Sequence, residues 1–287
     1  MKTYLDCYPC FLRQALNAAR RVGVPVEQQQ EILRETMAQL HALPADATPP
    51  RMAAEIHRMI RQQTRSADPY RHAKEEATAH ALALYPGLKA RVRSAADPLE
   101  VAVRIAIAGN IIDLGVSDTY DLEAVVQRVL AQPFAVDGME ALRCALAAAG
   151  EVLYLGDNAG ETVFDRVLIE TLERPVTYVV KGGPVINDAV REDALAAGLG
   201  EVATIIDNGS DAPGTLLPTC SEEFRARFDR ARLIIAKGQA NYETLSDVSA
   251  PVFFMLQAKC GVIARDLGVP EGGVILKAPP GAATTLC

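Results

Sequence analysis

From residue 150 onward, short runs of β-branched and aliphatic residues alternate with segments of helical character. No other feature of the chain constrains its fold as tightly. The runs are Val152–Leu155, Val176–Val180, Val202–Ile206, Leu233–Ala236, Val252–Leu256 and Gly273–Leu276, and the helical segments between them include Thr162–Glu173, Asp188–Ala197 and Ser221–Asp229. Strands that alternate with helices are joined by crossovers, which build a mainly parallel sheet with helices on both faces. The reading is therefore a Rossmann-like α/β domain over residues 150–287.

The first 149 residues have a different period. Leu5–Arg20, Val26–Leu43, Met52–Thr64, Tyr70–Leu84, Leu99–Ile112, Leu122–Leu130 and Met139–Ala149 carry apolar residues at helical spacing,. Breakers separate them at Pro25, Pro50, Asp68-Pro69, Pro86-Gly87, Asp97-Pro98 and Pro133,. No strand is evident there, so residues 1–149 read as an all-helical domain beside the sheet.

In a parallel sheet the carboxyl ends of the strands share one edge, where open α/β folds bind ligands. Here those ends carry Gly156-Asp157-Asn158, Lys181-Gly182-Gly183 with Asn187-Asp188 beyond, Asp207-Asn208-Gly209, Lys237-Gly238 and Lys259-Cys260. Carboxylate and amide oxygens suit hard divalent ions, and lysines with helix amino termini suit phosphate oxygens. Together they are the parts of metal-assisted phosphoryl chemistry.

Each motif also has a plainer explanation. Asn158 and Glu161 fit a capping box, Asn187 fits a helix cap, and the Gly-rich stretches fit turns. A cap leaves Asp157 over, and a buried carboxylate without a counter-charge costs several kcal/mol, so a cation is a fitting partner. In IAIAGNIIDLG, Asn110 and Asp113 share a helix face. Either the helix ends there at Gly115 or the pair points into the site from the helical side, and we favour the second.

Other classes are disfavoured. A formal charge of −7 argues against a nucleic-acid surface,. Arg51, Arg58, Arg61 and Arg65 are interrupted by Glu55 and apolar residues and read as a solvated helix face. The amino terminus MKTYLDCYPC has no apolar signal core and no window spans a bilayer, so a cytoplasmic protein without membrane contact is expected. Six cysteines then suggest thiols or metal ligands,. Cys7 and Cys10 form CYPC, half a zinc site at most, which only the strand-end thiol Cys260 would join; Cys144, Cys220 and Cys287 read as ordinary small residues. The four histidines lie in the helical half without metal spacing and read as surface residues. No nucleophilic triad or P-loop is present.

GDNAGE, KGGPVINDA and KGQANYETL, with GNIID and CYPC upstream, resemble the family known as domain of unknown function 89, the metal-dependent damage-control phosphatases. The CxxC points to its mainly prokaryotic subgroup. The resemblance runs from Cys7 to Cys260. It implies a divalent metal (Mg²⁺, Mn²⁺, Co²⁺ or Ni²⁺) on Asp157, Asn158 and Asp188, Lys237 facing the phosphate with Asn241 nearby, and small phosphomonoester substrates such as sugar phosphates or phosphopantetheine derivatives. Lys181 or Lys259 would add charge neutralisation, and Glu161 would orient a ligand. An S-adenosylmethionine-dependent carboxyl methyltransferase is the alternative. It lacks its glycine-rich turn, since GDNAG puts a carboxylate where the cofactor's own would approach. A non-catalytic metal-binding scaffold built on CYPC is weaker still.

Overall fold

A computed structural model describes residues 1–44, 47–110 and 122–282. The elements in chain order are α1 (Cys7–Val22), α2 (Val26–His41), α3 (Pro49–Thr64), α4 (Arg71–Ser94), α5 (Pro98–Gly109), α6 (Leu122–Ala131), β1 (Phe134–Val136), α7 (Met139–Ala148), β2 (Val152–Leu155), α8 (Thr162–Ile169), β3 (Val176–Val180), α9 (Arg191–Ala196), β4 (Thr204–Asp207), α10 (Glu222–Arg230), β5 (Ile234–Lys237), α11 (Gly238–Leu245), β6 (Val252–Gln257), α12 (Gly261–Leu267) and β7 (Val274–Lys277).

The seven strands form one sheet in the order β1-β7-β6-β5-β2-β3-β4. All neighbours run parallel except β6 and β7. Along β2, Val152 and Tyr154 enter one apolar cluster, while Leu153 and Leu155 enter another on the opposite face. Burial on both faces explains why these strands read as unbroken apolar runs rather than alternating ones. Strand order reverses at β2, which has β3 on one side and β5 on the other. The carboxyl ends of β2 and β5 thus flank the switch point where ligands bind in such sheets.

The helical half is laced into this arrangement. Ile105 and Ala106 of α5, Val125 and Val129 of α6 and Leu142 of α7 share a core with Tyr154, Phe164 and Ile235. Helices α1 to α3 have a core of their own around Phe11, Ile32, Ile56 and Ile60.

Three sequence expectations need correction. A strand, β1, lies in the first half and pairs with β7 at the sheet edge; three residues between Pro133 and Asp137 are too few to show a period. Helix α4 runs through Pro86. That proline is exposed, so the carbonyl it leaves unbonded one turn earlier meets water. The helix expected at Asp188–Ala197 begins only at Arg191, because Asp188 is held in an antiparallel bridge with Asn158.

Candidate active site

The bridge is what assembles the site. After β2, the Asp157 carbonyl accepts from the Ala189 N–H at 2.8 Å, and the Ala159 N–H donates to the Asn187 carbonyl at 2.9 Å. The loop after β3 therefore folds back along the loop after β2, and Asp157, Asn158 and Asp188 meet although thirty residues separate them in sequence. All three are nearly buried.

The side chains below them are held firmly. Asn110, at the end of α5 and fully buried, donates its amide to Asp157 Oδ2 at 2.9 Å and Glu161 Oε2 at 3.1 Å. The Asn158 amide nitrogen donates to the same two atoms, at 3.1 and 3.2 Å, which turns its amide oxygen the opposite way. Asn110 thus reaches the site from the helical half, as favoured above, whereas Asp113 lies outside the described residues.

Gly238 is required where it stands. Its φ is +78°, and a Cβ there would come within 1.9 Å of Asp157 Oδ2. Only glycine lets the start of α11 lie against that carboxylate. Likewise Gly160 of GDNAGE admits α4, since a Cβ would stand 2.8 Å from the Ala77 methyl.

The position of Lys237 differs from the phosphate-facing one expected. It is fully buried beneath the rim, and its ammonium donates to Glu161 Oε1 at 2.5 Å, Asp165 Oδ1 at 2.6 Å and the Ala106 carbonyl at 2.8 Å. An ammonium has three protons, and all three are used. Burial works against its charge, but Asp165 and Glu161 more than offset this and raise its pKa. Asn241 is equally committed. It accepts from Thr215 Oγ1 at 2.7 Å and donates to the Lys237 carbonyl at 2.8 Å and the Gly156 carbonyl at 3.3 Å, tying the β2 and β5 loops together.

Asp165, Tyr154 and Tyr178 were not singled out from the sequence. Both tyrosine hydroxyls donate to Asp165 at 2.7 Å, and all three residues are fully buried. The available signal was the spacing of Glu161 and Asp165, four apart and so on one helix face.

Charge is unbalanced at Asp157. Burial, then repulsion from Glu161 and Asp188, pushes its carboxyl well above the usual carboxylate range, against the pull of Lys181 and Lys259. Lys181 Nζ donates to the Gly214 carbonyl at 2.7 Å and lies 3.5 Å from Asp188 Oδ2. The Asn110 Oδ1 atom is buried with no hydrogen-bond partner. The described residues contain no ready group of three His, Cys, Asp or Glu around one point; the candidate set is two carboxylates and an amide oxygen. Two carboxylates pressed together, an outward-turned amide oxygen and a shortage of positive charge fit a hard divalent cation.

Arg58 and Arg61 of α3 are not simply solvated. Both guanidinium groups clamp Asp211 in the loop after β4, and Arg61 also donates to the Pro184 carbonyl at 2.6 Å. The Asp207-Asn208-Gly209 motif serves as a turn, with Asn208 Oδ1 accepting from the Ser210 N–H at 2.9 Å. His57 is buried, contrary to expectation, while His41, His72 and His80 are exposed. Cys144 is disulfide-bonded, unlike the free small residue expected.

A doubly wound sheet with acidic and amide groups at its switch point defines a ligand-binding α/β protein. The chain belongs to the damage-control phosphatase ARMT1-like domain family, which it matches over residues 3–275. It is 33% identical to damage-control phosphatase PH1575 of Pyrococcus horikoshii, across 96% of this chain and 97% of that one. A damage-control phosphatase of Archaeoglobus fulgidus is 36% identical over 235 residues, 79% of this chain and 81% of the other. An uncharacterized protein of Methanocaldococcus jannaschii, MJ0202, is 35% identical over 94% of this chain and 93% of that protein. The crystal structure of PH1575, a DUF89 family protein, superposes with a TM-score of 0.88 at 31% identity, covering 97% of this chain and 99% of the other. Among the described residues no helix is long and apolar enough to cross a membrane.

Proposed function

We propose that this chain is a metal-dependent phosphatase acting on small phosphomonoester metabolites, with sugar phosphates and phosphopantetheine-like compounds as the substrate classes. The observation that carries this reading is the meeting of Asp157, Asn158 and Asp188 at the switch point, with Asp157 short of positive charge. These three residues would hold the ion, and Mg²⁺, Mn²⁺, Co²⁺ or Ni²⁺ bound there would supply Lewis acidity toward a phosphoryl oxygen.

The protein's own residues have distinct tasks. Lys181 and Lys259, which lie within electrostatic range of Asp157, neutralise charge that grows on the phosphoryl oxygens. Asn110 and Glu161 fix the orientation of Asp157 and Asn158 from below. Lys237 fixes Glu161 in place through its ammonium and contributes at one remove from the substrate,.

Hydrolysis of an aryl phosphate by chelator-stripped protein, with each ion restored in turn, tests the reading. Activity should return with at least one ion and vanish in Asp157→Ala with the fold intact. Unchanged turnover in Asp157→Ala, or turnover that survives complete metal removal, would defeat it.

A further inference from the structure

CYPC lies outside the site just described, yet it is not isolated. Cys7 opens α1 and Cys10 follows one turn on, so both thiols lie toward one face of the same helix end,. Asp6, the residue before α1, does not cap the helix. Its carboxylate instead accepts from Arg265 of α12 at 2.8 Å. That pair joins the start of α1 to the helix whose cap residue is Cys260. Cys7 and Cys10 both lie within electrostatic range of Cys260 and of Glu243 on α11.

Gln239 links the remaining members. Its amide nitrogen donates to Glu243 Oε1 at 3.2 Å and contacts Cys260 Sγ at 3.5 Å. Its own amide oxygen is buried without a hydrogen-bond partner. Glu243 is 9% exposed; among the described residues no Lys or Arg is paired with it, and the opposing charge that acts on it is the Met1 ammonium, which donates to the Glu243 backbone carbonyl at 3.1 Å. Three thiols at the starts of α1 and α12 thus lie near a buried carboxylate in the last turn of α11. A disulfide between Cys7 and Cys10 would leave Cys260 and the buried Glu243 carboxylate without a role, whereas a cation would engage both.

We propose that Cys7, Cys10, Cys260 and Glu243 form a second cation site, for a thiophilic divalent ion such as Zn²⁺, separate from the oxygen-rich site at Asp157. Three sulfur ligands with one carboxylate make a donor set of the kind that tetrahedral zinc takes. Binding releases the thiol protons to solvent as the sulfurs become thiolates. In the present rotamers the donors have not closed on one point. Cys10 is exposed, and closure would require the thiol side chains to turn to other rotamers. The ion would clamp the start of α1 to α11 and to the start of α12, the helices that follow β5 and β6. This inference does not depend on the phosphatase reading.

The probe is Co²⁺, added anaerobically to the reduced, chelator-stripped full-length chain. A thiolate-to-cobalt charge-transfer band in the near ultraviolet should saturate at a single equivalent and be displaced by Zn²⁺. The band should be absent from Cys7→Ser/Cys10→Ser and from Cys260→Ser, yet kept in Asp157→Ala, which removes the oxygen site. Gln239→Ala should keep the band while weakening affinity on the order of 10–100-fold. Cobalt uptake with no thiolate band, or a band that survives Cys260→Ser, overturns the proposal. So does unmodified protein whose Cys7, Cys10 and Cys260 stay fully reactive toward a thiol reagent at saturating Zn²⁺, a readout that needs no variant to fold.

Discussion

Replacing Lys237 with methionine isolates the buried charge network beneath the site. The ammonium touches Glu161, Asp165 and the Ala106 carbonyl within 2.8 Å, and both acids are fully buried. Removing one partner of such a pair costs about 3–5 kcal/mol, because a charge is left without compensation. A second route gives the same scale. The stranded carboxylate escapes by taking a proton, and at pH 7 this costs about 4 kcal/mol for an acid of ordinary pKa ~3.9. At pH 5 the same proton costs only about 1.5 kcal/mol. The variant carries an acid whose pKa is raised in the folded state, so its penalty grows as pH rises. Urea unfolding followed by far-ultraviolet circular dichroism, at pH 5 and pH 7, should show that pattern. Asp165→Asn added to the variant should recover part of the loss. A loss below about 1 kcal/mol at both pH values, accompanied by abolished turnover, would refute the reasoning. It would put the ammonium to work on substrate instead.

Gly238→Ala should abolish turnover and cost about 1–3 kcal/mol, since its backbone lies in the left-handed region and the new methyl would strike Asp157,; steady-state kinetics with thermal unfolding checks both. His57 has its pKa lowered to about 3 by burial, with Arg61 adding to the effect. Its unfolded counterpart titrates near 6.5, so stability is complete above that value and falls as pH drops toward 3. About 2 kcal/mol should be gone by pH 5. A His57→Leu chain should lack this component of the acid slope in unfolding titrations.

The sequence was most readable where burial on two faces leaves little choice of residue. β2 and β3 were located to the residue because Val152–Leu155 and Val176–Val180 contact apolar cores above and below. The rim was readable for the same reason: strand ends fixed which polar residues share an edge, and Asp157, Asn158, Asp188, Asn110 and Glu161 do come together. Contacts that close only in three dimensions were not readable. Lys237 and Asp165 are far apart in the chain, and a lone tyrosine inside VLYL or VTYVV looks like ordinary core. The short β1, the uninterrupted α4 and the buried His57 share that cause, because a distant partner or a solvent-facing position decided each against its local signal.

The pairing of β1 with β7 makes the first strand wait for one synthesised about 140 residues later. Phe134 and Val136 find their sheet partners only at Val274 and Ile275. At ~5–20 residues per second, the nascent chain waits on the order of ten seconds or more between making the two. During that interval Met139 and Leu142 of α7, which share a core with Val274 and Leu276, and the unpaired edge have no shelter from that strand, so chaperone occupancy and vulnerability to proteases should fall once β7 has been made. A chain cut short before residue 274 would lose more than β7, because β1 would have nowhere to dock.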